Sequence, residues 1–122
     1  MSAVSTHVLD TGLGVPAAGV AVTLQQAGAD GYREIGQAVT DGDGRAAALG
    51  PGRISPGTYR LVFDTGTYFA GQTSAGAAVP GQPGRPCYFP EVVVTFRVDD
   101  SSSHYHTPLL LSPFGYTTYR GT

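Results

Sequence analysis

The sequence predicts an all-β domain, an antiparallel sandwich or barrel, with a single short helical turn. Two observations carry this. Eighteen glycines and nine prolines punctuate short β-branched and aromatic runs. Within those runs apolar and polar residues alternate with the period of a half-buried strand, most clearly in Val20–Leu24 and Val92–Phe96. Strands are expected at Ser5–Asp10, Val20–Ala27, Tyr32–Val39, Arg45–Leu49, Thr58–Asp64, Glu91–Val98, His104–Leu111 and Phe114–Tyr119. Asp41-Gly42-Asp43-Gly44 reads as a tight turn, because glycine supplies positive φ and aspartate caps its own backbone, and it delivers Arg45 to the next strand. The helical turn falls between Gly66 and Gln72, on Thr-Tyr-Phe-Ala, and residues 73–88 are loop by composition.

A chain of 122 residues is one domain, spanning 1–122, and buries roughly 65% of its unfolded surface, enough for a core. The seven cations are all arginines (33, 45, 53, 60, 85, 97 and 120), scattered under a net charge of −2. No basic stripe exists to follow a phosphate backbone, so no nucleic-acid partner is expected. Without lysine there is neither Schiff-base chemistry nor a P-loop cation. Cys87 is alone and forms no internal disulfide. No apolar run approaches the ~20 residues of a membrane span, and Met1–Val4 has neither the basic nor the apolar region of a signal peptide. No membrane association is expected, and the cytoplasm is the expected compartment.

Titratable groups concentrate near the two ends of the chain. His104 and His106 lie at i, i+2, which on a strand puts both rings on one face, and His7 opens Thr6-His7-Val8-Leu9-Asp10. On the strand 104–111 the odd residues Tyr105, Thr107, Leu109 and Leu111 suit a core. The even residues His104, His106, Pro108 and Leu110 mix imidazoles with apolar groups, as a shared interface lining a polar pocket would. Three readings of the histidines follow from the residues alone: solvated surface groups, a three-histidine zinc site with His7, or general acid–base catalysis near neutral pH. Arg45 and Arg120 are either solvated cations or planar forks for a carbonyl, ureide or carboxylate. Cys87 reads as a plain thiol, and no nucleophile elbow, Walker loop or dinucleotide fingerprint is present.

Thr6–Asp10, Asp43-Gly44-Arg45, Tyr59–Phe63, Tyr68-Phe69, Phe89–Val92 and the whole of His104–Thr122 resemble the 5-hydroxyisourate hydrolases, the transthyretin-related enzymes of urate breakdown. The resemblance runs over nearly the full length. Transthyretin itself shares the Leu-Leu-Ser-Pro-aromatic run but lacks both His-Tyr-His and the Tyr-Arg-Gly-Ser ending. This sequence departs from that ending only at Thr122, where the family has serine; threonine keeps the hydroxyl and adds a β-methyl. Residues 73–88 also exceed the family's usual connection in length.

The resemblance implies a transthyretin-like, eight-stranded antiparallel β-sandwich with one short helix, assembled as a homotetramer, a dimer of dimers. It implies a catalytic set of His7, Arg45 and His106, with His104, Tyr119, Arg120, Gly121 and Thr122 binding substrate. It implies no metal and no organic cofactor. The implied substrate is 5-hydroxyisourate, opened by His-assisted water attack on the ring lactam to 2-oxo-4-hydroxy-4-carboxy-5-ureidoimidazoline. A carrier holding a small aromatic ligand in a central channel is the alternative.

Overall fold

The computed structural model describes residues 2–72 and 84–122, so most of the loop expected over 73–88 lies outside the described residues. The chain runs β1 (Val4–Asp10), β2 (Val15–Pro16), β3 (Ala21–Gly28), β4 (Gly31–Val39), β5 (Arg45–Leu49), β6 (Gly57–Phe63), α1 (Thr65–Ala70), β7 (Val92–Val98), β8 (Tyr105–His106), β9 (Leu109–Ser112) and β10 (Gly115–Thr118). Two sheets form. One is four-stranded in the order β4-β3-β6-β7. In the other, of six strands, β10-β9-β1-β2 are in line, with β5 and β8 also paired to β1.

The expected sandwich is present, with local differences. The expected strand 104–111 is split into β8 and β9, because Pro108 has no N–H to give to a ladder. Both pieces pair with β1 in parallel, so this sheet is mixed where an antiparallel one was expected. With β2 added, ten short strands among the described residues replace eight. The helical turn is two residues longer at its front than expected, running Thr65–Ala70. Asp64 caps it by accepting from the Thr67 amide at 3.1 Å, and its apolar residues Tyr68 and Phe69 turn into the core.

Alternation along β1 decides which groups reach the site. Val4, Thr6, Val8 and Asp10 are buried, while Ser5, His7 and Leu9 are half-buried on the opposite face. The core gathers Tyr59, Phe63, Phe69, Leu24, Leu61, Leu109 and Leu111 from both sheets. Tyr105, Thr107, Leu109 and Leu111 are all buried, as the odd face predicts. Pro108 is buried as well within a single chain, which corrects its assignment to an exposed apolar face: Gly121 folds back over its ring.

One end of the sandwich is closed by a buried ion pair. Asp10 accepts from Arg85 through both oxygens and from the Tyr68 hydroxyl at 2.7 Å. Burial pushes the Asp10 carboxyl up, but the hydrogen bonds from Arg85 and Tyr68 outweigh it and hold its pKa below the usual carboxylate value. The same environment raises Tyr68 well above an ordinary phenol, through burial first and then the bond to Asp10.

Candidate active site

The outer face of β1 is the floor of the site, and its register places the side chains. His7 stands directly opposite Arg45 on β5, and Ser5 stands beside His106 on β8. Between the Val4–Leu49 and Thr6–Ala46 pairs β5 carries one extra residue, a β-bulge opposite Ser5. The small Ala47 in this stretch leaves space. A cavity of about 210 Å³ results, lined by Ser5, Thr6, Arg45, Ala47, His104, His106 and Thr122.

The 41–44 turn forms as its residues predict. The Asp41 carboxylate accepts from the amides of Asp43 (2.9 Å) and Arg45 (3.0 Å), and these bonds, Arg45's first, lower its pKa. Gly44 has φ +77°, and a Cβ there would lie 2.3 Å from the Val8 carbonyl oxygen, so both conformation and space require glycine. The turn also holds His7, whose Nε2 is 2.8 Å from the Asp43 carbonyl oxygen. A carbonyl only accepts, so Nε2 carries the hydrogen and the neutral ring keeps its lone pair on Nδ1.

His104 and His106 meet at one atom. The Ser5 hydroxyl lies 2.8 Å from His104 Nε2 and 2.8 Å from His106 Nδ1. His104 is exposed and His106 half-buried. Burial, followed by the charges of Arg45, His104 and His7, lowers the His106 pKa below that of an ordinary imidazole. It is therefore neutral, and able to accept a proton, at pH 7. Among the described residues no three His, Cys, Asp or Glu side chains gather as metal ligands would, and His7 Nε2 is engaged by the Asp43 carbonyl.

The returning segment closes the site from above. The Gly121 amide donates to the His106 carbonyl at 2.8 Å, and Thr118 Oγ1 donates to the Pro108 carbonyl at 2.7 Å. A Cβ on Gly121 would stand 2.6 Å from His106 Cδ2 and 3.2 Å from Pro108 Cγ, so this glycine permits the close approach. Thr122 joins the cavity with Arg45. Tyr119 and Arg120 instead line a second cavity of about 320 Å³ that opens on the other side of His106, between β7 and β10. The Arg120 guanidinium sits 4.8 Å above the Tyr105 ring. Within one chain Arg45 and Arg120 thus occupy different cavities, with His106 common to both.

Cys87 is half-buried and donates to the Phe89 carbonyl; burial and then Asp64 raise its pKa, which fits an unreactive thiol. Ser5 is the residue that sequence reasoning passed over. Its signal was its position two before His7, on the same face of the same strand.

A transthyretin-type sandwich with a neutral histidine, a second histidine and an arginine around an open cavity is the class of protein that this fold and site define. The sequence pattern of the HIUase/Transthyretin family matches residues 4–121, and the chain belongs to that family. It is 41% identical over 120 residues to the 5-hydroxyisourate hydrolase of Deinococcus radiodurans, covering 97% of this chain and 94% of the relative. The structure of Klebsiella pneumoniae 5-hydroxyisourate hydrolase superposes with a TM-score of 0.78 at 34% identity, covering 98% of both chains. Sea bream transthyretin in complex with thyroxine superposes with a TM-score of 0.82 at 31% identity, over 98% of this chain and 94% of that one. Backbone shape therefore does not separate the hydrolase from the thyroxine-bound transthyretin, and the side chains of the site must.

Proposed function

We propose that the protein is a hydrolase that opens 5-hydroxyisourate to 2-oxo-4-hydroxy-4-carboxy-5-ureidoimidazoline in urate degradation. The observation that carries this reading is His106 and Arg45 lining one solvent-open cavity, with His7 paired across the strands from Arg45 at its border. Relatives bearing this activity by name match over almost the whole chain.

His106 takes a proton from water through Nε2, since Nδ1 is engaged by Ser5. The water oxygen adds to the ring lactam carbonyl and the C–N bond breaks. The departing nitrogen takes a proton and the carbonyl carbon becomes the carboxylate. A positioned base of this kind contributes about 10²–10⁴-fold. Arg45 holds the oxygen on which negative charge develops. His7, fixed through Nε2–H, presents Nδ1 as an acceptor that orients the ureide. The tetrapeptide Tyr119–Thr122 closes over His106, and His104 borders the entrance. No metal or organic cofactor is called for, because the substrate is already an activated cyclic amide.

The functional unit on this reading is a homotetramer. Support comes from β7 and β10, both outermost strands of their sheets, and from the exposed Val93, Tyr116 and Tyr119 on or beside them. Leu9 and Leu110 are half-buried on the site face and gain cover in a dimer of dimers. Among the described residues no helix is long and apolar enough to cross a membrane. The cytoplasm is the compartment we propose.

The test is the ultraviolet decay of freshly made 5-hydroxyisourate with and without protein, repeated after exhaustive chelation. Accelerated decay in both conditions is expected. Decay at the spontaneous rate would favour the carrier reading, and loss in chelator with recovery on added zinc would favour a metal site.

A further inference from the structure

We infer that Ser5 is a positioning residue that relays protons between His106 and the exposed His104, so that His106 exchanges protons with substrate while remaining neutral. The inference rests on the hydrolase reading and adds a residue and a proton route to it.

The hydrogens around Ser5 can be counted. The Ser5 hydroxyl carries one hydrogen, yet it lies 2.8 Å from a ring nitrogen of each histidine. With both rings neutral, it donates to one nitrogen and accepts from the other. Two arrangements satisfy all partners. In the first, His106 Nδ1–H donates to Ser5, Ser5 donates to His104 Nε2, and the His106 Nε2 lone pair is free. In the second, His104 Nε2–H donates to Ser5, Ser5 donates to His106 Nδ1, and His106 Nε2 carries a hydrogen. Ser5 thus makes the tautomer of each ring depend on the other.

The two arrangements are the two halves of a catalytic cycle. Starting from the first, His106 Nε2 takes the proton of the attacking water. Its Nδ1 hydrogen passes to Ser5, the Ser5 hydrogen passes to His104 Nε2, and His104 releases its Nδ1 hydrogen to solvent. The second arrangement results. For leaving-group protonation every transfer reverses: His106 gives its Nε2 hydrogen to the departing nitrogen, and solvent returns one to His104. Protons balance, and Ser5 ends each turnover as it began.

The surroundings give this route a purpose. His106 is faced by His7 from β1, by Arg45 from β5 and by His104 in its own segment, with Arg120 and Thr122 in the returning segment. An imidazolium there is disfavoured by burial and by neighbouring positive charge. His104 is exposed and hands its proton to water. Ser5 lines the cavity opposite the bulge, with Ala47 also in its lining, and threonine, which keeps the hydroxyl, is the conservative replacement.

The test has two arms. In protein carrying 15N-histidine and no substrate, long-range 1H–15N spectra should show His104 and His106 changing tautomer and titrating together. In Ser5→Ala the two should titrate independently. In steady-state hydrolysis of 5-hydroxyisourate, Ser5→Ala should lower kcat about 10- to 100-fold with KM within about twofold, a part of the general acid–base contribution. The wild-type proton inventory in H2O–D2O mixtures should be bowed and that of Ser5→Ala linear, while Ser5→Thr restores both rate and curvature. Independent titration in the wild type would overturn the relay, as would a Ser5→Thr variant as slow as Ser5→Ala. Failure of the wild type to hydrolyse 5-hydroxyisourate would instead remove the hydrolase reading, with the spectra still deciding whether the histidines are coupled.

Discussion

Replacing Gly121 by alanine puts a methyl group into the space of the His106 ring. The added Cβ would stand 2.6 Å from His106 Cδ2, whereas ordinary contact begins at 3.4 Å. Pro108 blocks retreat on one side, at 3.2 and 3.3 Å, and the Gly121 amide is tied to the His106 carbonyl at 2.8 Å. The ring, held through Nδ1 by Ser5, must move by roughly 1 Å, and misplacement on that scale costs about 10²-fold in rate. The expected result is a fall in kcat/KM of about 100-fold for 5-hydroxyisourate, or about 2.7 kcal/mol of transition-state stabilisation. Stability should change by no more than about 1 kcal/mol, because the segment lies outside the core. Ultraviolet decay kinetics and a urea titration on the same preparation separate the two effects. A Gly121→Ala protein with wild-type kcat/KM would refute the closure of the tetrapeptide on His106.

Arg85→Met leaves Asp10 buried without its cation, and such a loss typically costs about 3–5 kcal/mol; differential scanning calorimetry should show a markedly lower Tm. Because the Asp10 pKa is lowered in the folded state, its contribution is complete above the unfolded value of about 3.9 and is lost as pH falls through the lower folded value. Urea midpoints of the wild type should therefore be insensitive to this group from pH 5 to 8 and drop below about pH 4. For catalysis, the base form of His106 is the active one and its pKa is depressed, so the acid limb of kcat/KM should lie below about 6.5, the ordinary imidazole value; a limb above 7 would contradict the assignment. Deleting residues 119–122 should abolish hydrolysis with a modest loss of stability, whereas Thr122→Ser, which keeps the hydroxyl, should change the rate by less than about twofold; both are read in the same decay assay.

What was legible in the sequence was local. Alternation in Val20–Leu24 and Val92–Phe96 located two strands, because period-2 patterning is imposed by a buried face. The Asp-Gly-Asp-Gly turn was readable because Asp41 accepts from backbone amides within four positions and Gly44 takes the positive φ. Long-range facts were not. The parallel pairing of β8 and β9 with β1 joins residues about a hundred positions apart, and no pattern within either strand encodes direction. Pro108 hinted at a break in the strand 104–111, but its burial depends on Gly121 returning over it. The Asp10–Arg85 pair spans 75 residues, and neither side chain's composition or spacing announces the other. His7 and Arg45 were named by resemblance, yet only the register of β1 against β5 sets them face to face. Ser5 looked like an ordinary strand serine until His104 and His106 were found on either side of its hydroxyl.

The most direct test of the account is the turnover of 5-hydroxyisourate by folded His106→Ala. The account predicts an unchanged far-UV spectrum, because this side chain lines cavities and belongs to no part of the core. It predicts a loss of about 10²–10⁴-fold in kcat/KM, the contribution of a positioned general base. His7→Ala added to this variant should cost little more, since groups acting as a unit are not additive. A folded His106→Ala protein that clears the substrate at close to the wild-type rate would contradict the central claim.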